Sequence, residues 1–165
     1  MILAIDVDYR KDDKAVVAGI LFDQWDDAEP THVVTTAIEE VTPYISGAFY
    51  KRELPCILKL LEEIETPLDC IVVDGYVTLA EGKAGLGTYL YHALDEKIPV
   101  IGVAKNAFQN ISEETYIYRG ESKKPLYVTS IGIEDDAAKR AIQSMFGKYR
   151  IPTLLKKADS VCRVS

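Results

Sequence analysis

An apolar run at the start of the chain, Met1-Ile2-Leu3-Ala4-Ile5, stops on an acid in the segment Asp6-Val7-Asp8-Tyr9. A second run, Cys70-Ile71-Val72-Val73, stops in the same way on Asp74-Gly75. Short apolar runs of this kind read as strands, and the second, apolar on both faces, reads as a central one. Two adjacent strands that each deliver a carboxylate at the C-terminal end make a pocket for a hard cation such as Mg2+. Open α/β sheets bind their ligands at the carboxyl ends of strands, and hard cations take oxygen ligands.

The rest of the pattern extends this reading. Ala15–Phe22 and His32–Ile38 read as two further strands, joined to Met1–Asp6 by short polar segments that suggest an antiparallel meander. Leu54, Ile57, Leu58, Leu60, Leu61 and Ile64 recur at helical spacing, so 53–64 reads as a helix with Pro55 in its first turn. Gly87–Leu94 reads as a helix and Pro99–Val103 as a strand parallel to Cys70–Val73, making 70–103 a βαβ unit. Tyr116–Arg119 and Leu126–Thr129 read as a hairpin around 120–125. Glu134–Phe146 reads as a helix with Ile133, Ala137, Ala141, Ile142 and Met145 as its apolar stripe, and Leu154–Cys162 as a short last helix. Antiparallel strands followed by helix, strand, helix and strand is the order of the ribonuclease-H-like α/β fold, a mixed sheet flanked by helices. Neither repeat nor linker divides the 165 residues, so 1–165 reads as one domain.

Composition excludes some classes. No apolar stretch reaches the ~18 residues of a membrane span. The N-terminal run has no basic region before it and is broken early by Asp6, so it reads as a strand rather than a signal peptide. Cys56, Cys70 and Cys162 form no CxxC pair and have only His32 and His92 beside them. They read as small buried hydrophobes in a reducing, cytoplasmic compartment rather than as zinc ligands. The net charge of -7 argues against an extended nucleic-acid surface, because phosphate binding is mostly Lys and Arg work, and it leaves room for a local basic patch. Asp12, Asp13, Asp26 and Asp27 read as solvated turns, and His92 as structural.

Phosphodiester hydrolysis needs a nucleophile at neutral pH, charge opposite the phosphoryl oxygens and help for the leaving oxygen. Mg2+ held by several carboxylates supplies all of these, which is why such sites are acid-rich. The candidate acids here are Asp6, Glu53, Asp74 and Asp159.

Several separated segments then carry a resemblance, in order along the chain. They are Ile5-Asp6-Val7-Asp8-Tyr9, Pro43-Tyr44-Ile45-Ser46-Gly47 followed by Arg52-Glu53-Leu54, and Val73-Asp74-Gly75. Gly85-Leu86, Ile101-Gly102-Val103-Ala104-Lys105, Tyr127-Val128-Thr129, and Arg150-Ile151-Pro152 with Ala158-Asp159 complete the set. Together they resemble the endonuclease V family, the deoxyinosine 3′-endonucleases, over essentially the whole chain.

The resemblance implies a function and a role for each matching residue. The family cleaves the second phosphodiester bond 3′ of inosine, in DNA or RNA, with Mg2+ or Mn2+. Asp6 and Asp74 are then metal ligands, Glu53 the third acid, and Asp159 a fourth that orients the metal or its water. Lys105 sits near the scissile phosphate. Tyr44, with Ile45 and Gly47, forms the wedge that fills the gap left by a flipped base, and Gly75 lies on the substrate.

The chain departs from the family's pattern where a His-Pro-Arg segment is replaced by Ala80-Glu81-Gly82. It departs again at Gly87-Thr88-Tyr89, at Ser130-Ile131-Gly132-Ile133 in place of Pro-Gly-His-Arg, and in beginning at the first strand. Lost phosphate contacts and a negative field predict weak, salt-sensitive binding. Two alternatives stay open at this level: a nucleic-acid-binding relative that no longer cleaves, and a nuclease with another substrate.

Overall fold

The computed structural model describes residues 1–165 apart from 44–47 and 49. Its elements in chain order are β1 (Ile2–Tyr9), β2 (Ala15–Phe22), β3 (His32–Ile38), α1 (Tyr50–Leu61), β4 (Cys70–Asp74), α2 (Leu86–Ala93), β5 (Val100–Ala104), β6 (Tyr116–Ile117), β7 (Leu126–Ile131), α3 (Asp135–Ser144) and α4 (Thr153–Val164). The strands form one mixed sheet in the order β3-β2-β1-β4-β5-β7-β6. β1, β4 and β5 run parallel, β2 and β3 extend the sheet antiparallel on one side, and β7 and β6 extend it antiparallel on the other. This is the ribonuclease-H-like α/β architecture.

Strand alternation sorts the core into two layers. Ile2 and Ala4 of β1, Ile20 and Phe22 of β2, and Cys70 and Val72 of β4 pack with Ala138 and Ile142 of α3 and Leu154 and Ala158 of α4. Leu3 and Ile5, Val17 and Leu21, and Ile71 and Val73 face the other way, onto Cys56, Ile57 and Leu60 of α1 and Leu86 and Leu90 of α2. Each fully buried Leu or Ile contributes about 1.5–3 kcal/mol from water removal. The central strands therefore need apolar residues at every position until they reach their C-terminal ends.

Some boundaries differ from the sequence reading. β1 runs on from Asp6 to Tyr9, because Asp6, Val7, Asp8 and Tyr9 keep pairing with Ala18, Val17, Val16 and Ala15 after the parallel pairing with β4 has ended. α1 begins at Tyr50, so Pro55 lies inside the helix, not in its first turn. The donor Pro55 lacks would have served the carbonyl of Lys51, and both residues are exposed, on the solvent side of the helix where a missing backbone bond costs least. β6 stops at Ile117 because Arg119 turns inward. Its buried guanidinium donates to the carbonyls of Met145, Gly147, Tyr149 and Arg150, tying off the end of α3. The inner residues of α3 are Ala138 and Ile142, with Ala137 and Ala141 half-buried at the margin.

One surface arginine fixes the helix that closes the site. Arg10, just past β1, donates to the carbonyls of Cys162, Arg163 and Ser165 at 2.7, 3.1 and 2.8 Å. A cation on the last carbonyls of a helix satisfies orphan acceptors and opposes the helix dipole. Arg10→Ala is expected to cost about 1 kcal/mol and lower Tm by about 2–4 °C. Hydrogen exchange should quicken in the last turn of α4, and unchanged exchange there would count against the cap.

Candidate active site

Strand register brings the first two acids together. The parallel pairing of β1 and β4 ends at Ile5 opposite Val73, and each strand then adds an aspartate. Asp6 shares the parity of Ala4, and Asp74 that of Val72, so both carboxylates emerge on the α4 side of the sheet. They line one pocket with Lys105, against Ile151, Leu155 and Ala158. Lys105 follows the end of β5, and its Nζ stands 3.9 Å from Asp74 Oδ1. Glu53 arrives from the first turn of α1 and Asp159 from α4, where Arg163 Nε donates to Asp159 Oδ1 at 2.9 Å.

The acids strongly oppose one another's ionisation. Burial, then the charge of Asp74, push Asp6 up to about 7, against a 2.9 Å hydrogen bond from the Val7 amide and the pull of Lys105. Burial, then Asp74 and Asp6, push Glu53 up to about 8, with Arg52 opposing. Asp74 is raised by burial and Asp159 against Lys105, although its side chain is 42% exposed, so it stands at the mouth of the pocket. Asp159 goes the other way. Burial would raise it, but the Arg163 hydrogen bond and the charges of Lys105, Arg163 and Lys156 hold it below the ordinary carboxylate range.

Glu53 is 5% exposed, and its Oε2 is buried without a hydrogen-bond partner among the described residues. Arg52 does not pair with it. That guanidinium lies 3.9 Å over the ring of Tyr9. A dehydrated carboxylate oxygen with no donor, next to two more acids, is costly unless a proton or a cation shares the space.

The turn after Asp74 is shaped for close approach. Gly75 has φ +134°, a region closed to most L side chains. A Cβ on Gly102 would stand 2.5 Å from the Gly75 carbonyl oxygen, so β5 also needs glycine there. The Thr129 hydroxyl accepts from the Val77 amide at 2.8 Å. The Tyr76 hydroxyl donates to the Asn106 carbonyl and accepts from the Phe108 amide, holding the 105–108 loop against the turn. Beyond it opens a cavity of about 640 Å³, bordered by Asp74, Gly75, Tyr76, Glu81, Lys83 and Phe108. The rings of Tyr76 and Phe108 meet edge to face at 6.2 Å.

Of the residues singled out in the sequence, Asp6, Glu53, Asp74, Lys105 and Asp159 converge, and Gly75 lies where the acid pocket meets the larger cavity. Tyr44, Ile45 and Gly47 lie outside the described residues. Sequence reasoning missed the aromatic wall, because Tyr76 and Phe108 sit in loops without periodicity. It also missed Cys162. All three cysteines are buried and free as expected, but Cys162 stands against the acids, its Sγ within 4.8 Å of ligand oxygens of Asp6 and Asp159. Its helical spacing from Asp159 was the only signal. Among the described residues no helix is long and apolar enough to cross a membrane.

Comparison with known proteins gives a consistent picture. The family model for Endonuclease V matches residues 1–121. The endonuclease V of Streptomyces avermitilis is 32% identical over 187 residues, covering 98% of this chain and 79% of the relative. That of Rippkaea orientalis is 28% identical over 181 residues, covering 97% and 78%. The crystal structure of the S. avermitilis enzyme superposes with a TM-score of 0.80 at 29% identity, over 98% of this chain and 79% of that one. Ciona intestinalis endonuclease V, solved with a 24mer DNA containing an inosine followed by a ribo-adenosine, gives 0.84 at 18% identity, over 98% and 83%.

Proposed function

The chain belongs to the endonuclease V family, nucleases that cleave at deoxyinosine in DNA, and on that premise we propose that it is a divalent-metal-dependent endonuclease. It hydrolyses a phosphodiester bond 3′ of inosine in DNA or RNA, acting as one domain over residues 1–165 in a reducing, cytoplasmic setting. The observation that carries the reading is the unpartnered Oε2 of Glu53, buried among acids that each resist ionisation. An oxygen-only set of Asp6, Glu53 and Asp74 suits one or two hard cations, Mg2+ or Mn2+. When bound, such an ion supplies charge against the phosphoryl oxygens and makes a water more acidic.

The chain's own residues do the rest. Lys105, held loosely by Asp74 at 3.9 Å, turns to a phosphate oxygen and offsets its charge. Asp159, kept ionised by Arg163 and the nearby lysines, orients the metal or its water and holds a fixed negative charge on the α4 side. The cavity beyond Gly75 receives the displaced base against Tyr76 and Phe108. Stacking of this kind is worth about 1–3 kcal/mol per base. Tyr44, Ile45 and Gly47 keep the wedge role that the family resemblance implies. The inosine-containing DNA in the Ciona structure supports a nucleic-acid substrate. The net charge of -7 implies weak, salt-sensitive binding.

The test is cleavage of end-labelled DNA and RNA strands with Mg2+, with and without one inosine. Cutting near inosine that EDTA abolishes is the expected result, and uniform inertness of a metal-loaded protein would leave only a binding role. Lys105→Ala should lower the single-turnover rate about a hundredfold at saturating metal. A second reading keeps the chemistry and changes the base. Glu81, held at φ +63° on the cavity wall within the segment where the family pattern has His-Pro-Arg, favours it, and preferential cutting beside another base would support it.

A further inference from the structure

The net charge of -7 is unevenly spread. Residues 118–124 and 146–150 hold five cations, Arg119, Lys123, Lys124, Lys148 and Arg150, against one acid, Glu121. They also carry three exposed rings, Tyr118 at 54%, Phe146 at 51% and Tyr149 at 69%. The fold brings the two segments together. Buried Arg119 donates to the carbonyls of Gly147, Tyr149 and Arg150, and Arg150 donates to the carbonyl of Pro125 at 3.3 Å. Gly120 packs on the carbonyl of Lys148 and leaves no room for a Cβ. Lys148 Nζ stands 5.4 Å over the ring of Tyr149. Among the described residues Lys123, Lys124 and Lys148 form no ion pair.

This patch adjoins the acid pocket. Lys124 Nζ donates to Asn106 Oδ1 at 2.9 Å, one residue beyond Lys105, and Ile151, next to Arg150, lines the pocket itself. Unpaired cations between exposed rings meet the two needs of a single strand: charge opposite its phosphates and flat faces for its unstacked bases. A duplex hides those faces. A second copy of the chain, docked patch to patch, would set like charges against one another.

We propose that the patch is a track for single-stranded DNA, on which the strand leaving the acid pocket runs past Lys124 and Lys123 to Lys148 and stacks on Tyr149. The proposal rests on the nuclease reading above for its occupant, the flank of a strand held at the acids and Lys105. The track lies away from the reacting bond and grips substrate and transition state equally. It therefore lowers KM and leaves kcat alone.

The test is binding of a fluorescent oligo-dT of about 20 nucleotides by the full chain in EDTA at low salt, read by anisotropy. Lys148→Ala should weaken binding about threefold to tenfold and cut the slope of log affinity against log salt by about 0.7. Tyr149→Ala should weaken it about tenfold, and Tyr149→Phe should keep the parent's value, since the face of the ring is what binds. Lys59→Ala, on the exposed side of α1, should change nothing. Arg119 holds the patch through backbone carbonyls, so these substitutions spare the fold, which melting curves check. With Mg2+ and an inosine-containing strand, Lys148→Ala and Tyr149→Ala should raise KM by similar factors with kcat within about twofold of the parent. Unchanged oligo-dT affinity in both variants would overturn the track. So would poly-glutamate that displaces the strand as well as unlabelled oligo-dT does, or self-association of the parent that Tyr149→Ala abolishes. The cleavage reading fails separately: a parent that binds strands through Lys148 and Tyr149 but cuts none containing inosine keeps the track and loses that reading.

Discussion

Asp74→Asn should abolish Mg2+-dependent cleavage, by at least about a thousandfold, while the metal-free protein remains as stable as the parent or gains slightly. The two effects have separate causes. Asp74 ends β4, and its backbone place is secured by pairing with Val103 and by the Gly75 amide donating to the Val103 carbonyl at 3.1 Å. Its carboxylate faces solvent on one side and meets only a 3.9 Å ion pair with Lys105, so the fold does not depend on its charge. That same charge is the largest neighbouring contribution to the raised pKa values of both Asp6 and Glu53. Removing it lets both ionise more easily and relieves repulsion in the folded state. A single-turnover assay paired with thermal melts in EDTA separates the outcomes. Retained cleavage in Asp74→Asn would refute the metal-ligand role, and a large drop in Tm would show that the residue is structural.

The second large effect is on stability against pH. The metal-free protein should lose stability as pH rises from about 4 to about 8, on the order of 3–5 kcal/mol in all, or roughly 10 °C in Tm. The sign follows from the direction of the shifts. The folded state holds protons on Asp6 up to about 7 and on Glu53 up to about 8, whereas an unfolded chain releases them near the ordinary carboxylate values. Their contribution is therefore complete in acid, below those ordinary values, and is lost as pH climbs through the folded ones. Asp159 works in the opposite sense. Its pKa is lowered, so its contribution is present above the ordinary value and is lost as pH falls through the folded one. Mg2+ competes with the protons on Asp6 and Glu53, so the rise in Tm that it produces should be small near pH 5 and large near pH 8–9. Melting curves from pH 4 to 9, with Mg2+ or EDTA, measure both trends, and Asp6→Asn should flatten the metal-free slope. A metal-free Tm that holds level or rises between pH 5 and 9 would mean that these acids are not packed together in a dehydrated site.

Asp6 and Asp74 were legible in the chain because each ends an apolar run, and buried parallel strands tolerate a charge only where they emerge from the core. Lys105 was singled out only by the Gly102-Val103-Ala104-Lys105 motif, since a lysine just past a strand reads by itself as an ordinary solvated side chain. Glu53 looked like an ordinary first-turn acid, and only the sequence motifs around it suggested more. Pro55, by contrast, was misplaced by a turn, since helix periodicity marks the apolar face of α1 but not its first residue. β1 was read too short because its final residues alternate polar and apolar, and their pairing partners lie in β2.

The order of strands and helices, the two-sided core and the ends at which acids emerge were determined by the sequence alone, because they follow from local periodicity, and periodicity survives without knowing which residues meet. The tertiary structure alone decided that Glu53 lies buried with an unpartnered oxygen, that Tyr76 and Phe108 wall one cavity, and that the Cys162 sulfur faces Asp6. These depend on the crossing of α1 and α4 over the ends of the sheet and on loops that carry no repeat. Raised pKa values belong to the same class, since removal from water and the distance between charges exist only once the chain has closed around them.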